Sequence, residues 1–171
     1  MSLTAPVGRL QQLALAFLAV AMTVTVGAAL GFQHLGGYIP CKLCIEQRTP
    51  YYIAIPVMLV GLAAAFAKAP ALLVRLILLA GALLMTWSLY LAIFHAGVEW
   101  GWWPGPTDCG VVVAPPSGGN LLDALDSIVP PACDQAAGRF LGLSFAGWNA
   151  VASLVLAAIG YVAAFRKAER G

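Results

Sequence analysis

Four cysteines hold most of the chemistry this sequence offers. Cys41 and Cys44 close a Cys-Lys-Leu-Cys tetrad, and Cys109 and Cys133 bracket the one long polar stretch. A thiolate that attacks a disulfide sulfur makes and breaks such pairs, so a redox site needs one stabilised thiolate. Cys44 is the expected one. A helix beginning near it turns its positive end toward the sulfur. Arg48, four residues on, falls on the same helical face, and Lys42 adds charge inside the tetrad. Glu46 is offset by two and points elsewhere. Pro50 complicates this picture, because inside a helix it would clash with the carbonyl of Glu46. Either the turn before it is irregular, or the regular helix starts at Pro50. A lone Cys-x-x-Cys is also compatible with zinc, but structural zinc wants closely spaced ligands and the second pair is wide. Purely structural disulfides are the second alternative. Arg48 has a bland reading as a headgroup-seeking arginine. His95 is either a capping and hydrogen-bonding residue or a contact for a ligand carbonyl held near Cys44.

The elements that must position these residues are apolar. Of 171 residues 61% are hydrophobic and 9% charged, with mean hydropathy +0.89. A soluble domain carries about a quarter charged residues, so this chain is an integral membrane protein. Its net charge of +2, without a basic patch, excludes a nucleic-acid binder. Four apolar spans cover about 10–32, 47–67, 72–94 and 145–165, and each must be helical to satisfy its backbone in lipid. The first is too long for the apolar core of a cleaved signal and reads as a retained helix. Short links make neighbours antiparallel, so the expected architecture is an all-α, up-down four-helix bundle in one domain, residues 1–171. Arg9, Lys68, Arg75, Arg166, Lys167 and Arg170 gather on one side, against Lys42, Arg48 and Arg139 on the other. The positive-inside rule then puts both termini in the cytoplasm and the loops at about 33–49 and 95–144, with all four cysteines, outside. Disulfides persist in the bacterial periplasm, which agrees with that sidedness. Trp100, Trp102 and Trp103 suit an interfacial belt. Leu121, Leu122, Leu125, Ile128 and Val129 recur at helical spacing behind Asn120, predicting a short amphipathic helix in the second outer loop. Arg75, about a turn inside the inner boundary, reads as snorkelling.

The tetrad followed by Glu46-Gln47-Arg48 and Pro50-Tyr51 has counterparts further along the chain. They are the stretch from His95-Ala-Gly-Val-Glu99 through Trp103-Pro-Gly-Pro to Cys109, and Cys133 leading to Phe140-Leu-Gly-Leu143. In this order, over nearly the whole chain, they resemble the disulfide bond formation protein B (DsbB) family of bacterial inner-membrane thiol oxidases. The resemblance implies an enzyme, a protein-disulfide:quinone oxidoreductase. Cys109 and Cys133 would accept electrons from a periplasmic DsbA-like oxidase, with Cys109 forming the mixed disulfide. Cys133 would exchange with Cys41, and Cys44 would pass electrons to a membrane quinone, ubiquinone or menaquinone. Arg48 would hold the quinone and stabilise the thiolate, with His95 a further quinone contact; no metal is implied. Two other readings compete. A vitamin K epoxide reductase type of bundle is disfavoured by the order of its loops. A scaffold or transporter with structural disulfides is disfavoured by the scarcity of charges within the spans.

Overall fold

The computed structural model describes residues 7–107, 109 and 132–166. Helix α1 spans Arg9–His34, a short α2 Lys42–Glu46, α3 Thr49–Phe66, α4 Ala71–Glu99 and α5 Phe145–Phe165. Between 132 and α5 lies a two-residue hairpin, β1 Arg139–Phe140 and β2 Leu143–Ser144. Among the described residues four helical spans are long and apolar enough to cross a membrane, with α2 and α3 sharing the second. Helix α1 packs on α3 and α5, and α4 packs on the same two, so the bundle closes as a ring. The chain is a multi-pass membrane protein of the all-helical class that its composition predicts.

The core is a column of Leu and Met. Leu15, Leu18 and Met22 of α1 meet Met58 of α3, Leu78 and Met85 of α4, and Leu156 of α5. Phe17, Val24, Leu83 and Leu154 point outward, as expected of side chains that face lipid. Between α4 and α5 the backbones come close because Gly160 carries no side chain; a Cβ there would lie 2.9 Å from that of Ala82.

Three helix bounds differ from those the apolar runs suggest, and each difference has a local cause. Helix α1 continues two residues to His34 before turning. The second span is broken at Gln47–Arg48. Pro50 sits in the first turn of α3, where its missing N–H costs nothing, so the irregular turn lies just before it. Helix α4 runs past Phe94 to Glu99 because His95, Gly97 and Val98 are buried on its inner face. At 29 residues it is about 43 Å long, against a hydrocarbon core of about 30 Å. It is longer than the core it crosses, and His95 and Glu99 lie in its last two turns.

Arg75 does not snorkel. Its side chain is fully buried, and Nη1 donates to the carbonyls of Ala164 (2.6 Å) and Arg166 (2.9 Å) at the end of α5. Gln11 Nε2 donates to Ala163 and Arg166 from the opposite side. The last carbonyls of a helix lack partners within it, and these two side chains satisfy them. Among the described residues the hairpin is the one departure from helical secondary structure. Leu141 (φ 51°) and Gly142 (φ 85°) form the two-residue turn with positive φ that matches strand twist. It delivers Ser144 as N-cap of α5, where Oγ accepts from the Gly147 N–H at 3.1 Å. The amphipathic helix expected over Leu121–Val129 lies outside the described residues, as do Lys167 and Arg170.

Candidate functional site

The tetrad is built on a single helical turn. Cys41 is the N-cap of α2, and its Sγ accepts the backbone N–H of Cys44 at 3.3 Å. The two sulfurs are 3.0 Å apart as free thiols. His95 reaches across from α4 and places Nε2 3.6 Å from Cys41 Sγ. The favoured thiolate is thus Cys41 and not, as the spacing suggested, Cys44. Capping puts the first sulfur of the turn, not its third helical residue, on the free N–H groups. The hydrogen bond from Cys44 pulls the Cys41 thiol well below the ordinary thiol range, with His95 adding to it and burial opposing. Lys42 bonds Glu46 at 3.9 Å, so part of its charge is answered on α2 itself.

Cys109 and Cys133 form a disulfide with Cα atoms 5.9 Å apart. Its two ends differ in access. Cys133 is buried in a small apolar cluster with Cys41, Leu43 and Val98, whereas Cys109 is partly exposed. Trp103 fixes the start of this loop, since its Nε1 donates to the Phe94 carbonyl at 2.8 Å and its ring stacks on Phe94. Trp100 and Trp102 remain largely exposed, as a belt at a membrane surface would be.

On the other side of the tetrad lies a cavity of about 360 Å³ between α1, α3 and α5. Its walls are chiefly apolar and aromatic (Val26, Phe32, Tyr38, Phe145, Trp148). Cys44, Arg48, Gln33, Gln47, Tyr51 and Asn149 supply the polar edge. Cys44 and Arg48 therefore share one wall even though the helix breaks between them. Arg48 Nη1 donates to Gln33 Oε1 at 2.5 Å, which braces the guanidinium against α1. His95 does not line this cavity. It is 2% exposed, sealed behind Gln47 and committed to Cys41.

Several residues here have no role assigned from the sequence, although Gln47, Tyr51 and Glu99 stand in its motifs. Tyr51 Oη donates to Asn149 Oδ1 (2.8 Å), Asn149 Nδ2 to Gln47 Oε1 (2.7 Å), and Gln47 Nε2 meets His95 Nδ1 (2.6 Å). Tyr51 also meets Ser153, and Ser153 meets Ser88. The signal for them is spacing: Gln47 and Tyr51, Asn149 and Ser153, and His95 and Glu99 are four residues apart in spans otherwise apolar. Glu99 Oε1 is 3.7 Å from His95 Nε2, with Oε2 buried and without a hydrogen-bond partner among the described residues. Cys41, Cys44 and His95 offer three metal-capable atoms within 4.8 Å of one another, while Cys109 and Cys133 are spent in their disulfide.

The arrangement can do one kind of chemistry well. A partly exposed disulfide end leads to a buried one, then to a primed thiol, then to a thiol on an apolar cavity. Residues 11–163 match the family described as disulfide bond formation protein DsbB. A disulfide bond formation protein B from Herminiimonas arsenicoxydans is 31% identical over 154 residues, covering 87% of this chain and 92% of that protein. No solved structure matches the chain. The family match runs across all four membrane-spanning helices and both cysteine pairs, and the chain belongs to the DsbB family, oxidoreductases of disulfide bond formation.

Proposed function

We propose that this protein reoxidises a DsbA-like thiol oxidase in the periplasm, relaying its electrons through both cysteine pairs to a membrane quinone. The observation that carries the reading is the shared wall of Cys44 and Arg48 on an apolar cavity of quinone-compatible size. Pockets that bury a small ligand are mainly apolar with a few placed polar groups, and this one has Arg48 and Asn149 for carbonyl oxygens and aromatic rings for a flat ring system. A quinone bound there supplies two-electron, two-proton acceptance from the Cys41–Cys44 dithiol.

The protein's own residues do the rest. A thiolate of the reduced partner attacks Cys109, the exposed end of the loop disulfide, and Cys133 leaves as thiolate. When the tetrad is oxidised, Cys133 attacks Cys41, which shares its apolar cluster, and Cys44 is released. The partner's second thiol resolves the mixed disulfide at Cys109, and Cys109 then resolves the Cys133–Cys41 bond. The balance is one partner disulfide gained and one tetrad dithiol formed. His95 holds the Cys41 sulfur as thiolate, a role that replaces quinone contact. Arg48 places positive charge at the cavity end of Cys44. The distribution of basic residues supports cytoplasmic termini and periplasmic cysteine loops in the inner membrane.

Anaerobic mixing of the purified protein with ubiquinone or menaquinone and a reduced periplasmic oxidase tests this. Quinone reduction stoichiometric with partner disulfide is expected. No reduction with either quinone, or full activity in Cys44→Ser, overturns it.

A further inference from the structure

A hydrogen-bond chain has a direction, and this one runs from Tyr51 on the cavity wall to the buried His95. Tyr51 Oη donates to Asn149 Oδ1, so Asn149 turns its Nδ2 toward Gln47 Oε1. Gln47 then has only its amide nitrogen to offer His95 Nδ1, at 2.6 Å. An amide nitrogen cannot accept a hydrogen bond, so Nδ1 is bare and a neutral ring carries its hydrogen on Nε2. That nitrogen faces Cys41 Sγ at 3.6 Å and Glu99 Oε1 at 3.7 Å. We propose that Asn149, acting through Gln47, is a positioning residue that holds His95 as the Nε2–H tautomer, so that the ring always presents a hydrogen to the Cys41 sulfur.

The chain spans three helices and ends on a group the cavity does not touch. Gln47, Tyr51 and Asn149 line the cavity, whereas His95 and Cys41 do not. A ligand that draws a hydrogen bond from Asn149 or Gln47 competes with the chain, and its presence is felt at Cys41 as a weaker or reoriented His95 bond. Cavity occupancy is thereby linked to the reactivity of a thiol on the far side of α2. This linkage rests on the quinone reading for the identity of the ligand; the tautomer assignment does not. The groups that face Cys41 are Cys44 on its own turn, His95 from α4, and the Cys109–Cys133 disulfide from the later loop, while Glu99 meets the same His95 nitrogen. Lys42 and Glu46 lie on α2 beside it, and Arg48 stands at the Cys44 side.

The test uses reduced, quinone-free, full-length protein. The chain has two histidines, His34 and His95, so nitrogen-15 histidine labelling resolves the ring state of each. The expected spectrum for His95 has an unprotonated Nδ1 and a protonated Nε2. Asn149→Leu is expected to lose that fixed tautomer and to raise the pH midpoint of iodoacetamide labelling at Cys41, read by peptide mass spectrometry, by about one unit. Tyr51→Phe should shift it less, in the same direction. Gln47→Glu offers an acceptor to Nδ1 and should place a hydrogen there, which keeps the test open if Asn149→Leu fails to fold. A wild-type His95 protonated at Nδ1, or a Gln47→Glu protein whose Nδ1 stays bare, overturns the proposal. So does an unchanged ring signal and labelling profile in folded Asn149→Leu. Addition of ubiquinone to the wild type is expected to move the Cys41 profile, and an unmoved profile overturns the linkage. None of the ring measurements needs turnover, so they fail or succeed apart from the quinone reaction.

Discussion

The two ends of the bundle both bury polar side chains, and they use them differently. At one end Gln11 and Arg75 finish on backbone carbonyls of α5, groups that never titrate. At the other, Tyr51, Asn149 and Gln47 finish on His95, which finishes on a thiol. A polar network that ends on backbone can only hold helices together. One that ends on an ionisable sulfur also sets chemistry, because each hydrogen bond it donates favours the charged form. Burial alone does not separate the two, since Arg75 and His95 are equally hidden.

That contrast can be broken in several places. The largest effect is expected from Cys44→Ser, which should abolish quinone-linked turnover while leaving the Cys109–Cys133 disulfide formed in non-reducing peptide maps. Arg75→Met should do the opposite. It removes two charge-assisted hydrogen bonds from a buried site and should cost about 3 kcal/mol in detergent unfolding, with Cys41 labelling unchanged. A changed labelling profile would show that the two ends are coupled. Arg48→Ala should raise the apparent KM for quinone about tenfold, the value of roughly 1.4 kcal/mol, with partner binding unaltered. An unchanged quinone KM would remove Arg48 from the site.

Acid sharpens the comparison further. The Cys41 thiol is held below its unfolded value of about 8.5. Its contribution to the stability of the reduced protein is therefore full above that value and is lost as pH falls through the lowered one. Acidification should destabilise reduced protein more than protein whose tetrad is oxidised, because a disulfide does not titrate; equal slopes would refute the assignment. The smallest effect is expected from Gln11→Leu, about 1 kcal/mol of unfolding free energy with no change at any thiol.

Much of this was legible in the residues. Four apolar runs of membrane-crossing length require four crossing helices, and the tetrad announces thiol chemistry wherever it is placed. The identity of the capping sulfur was not legible. Spacing from Arg48 favoured Cys44, yet Pro50 breaks the helix before Arg48, and the isolated turn that results is capped by Cys41. A lone arginine near a boundary usually reaches for headgroups, and only the meeting of α1, α4 and α5 shows the carbonyls that Arg75 binds instead. Asn149 and Gln47 lie about a hundred residues apart, so no local pattern joins them. The position of His95 at the end of an apolar span marks it as a polar group of interest, but the sulfur it meets belongs to a residue 54 positions away and no local pattern names it.

Gly97 has a consequence for the loop that follows it. Trp103 lies directly over this residue, on the spot any Cβ would occupy, so the indole is seated on bare backbone. Cys109 follows Trp103 by six residues, a tether that can reach no farther than about 20 Å. A methyl group at position 97 would lift the anchor, and the partly exposed Cys109 would lose the fixed point from which its reach is set.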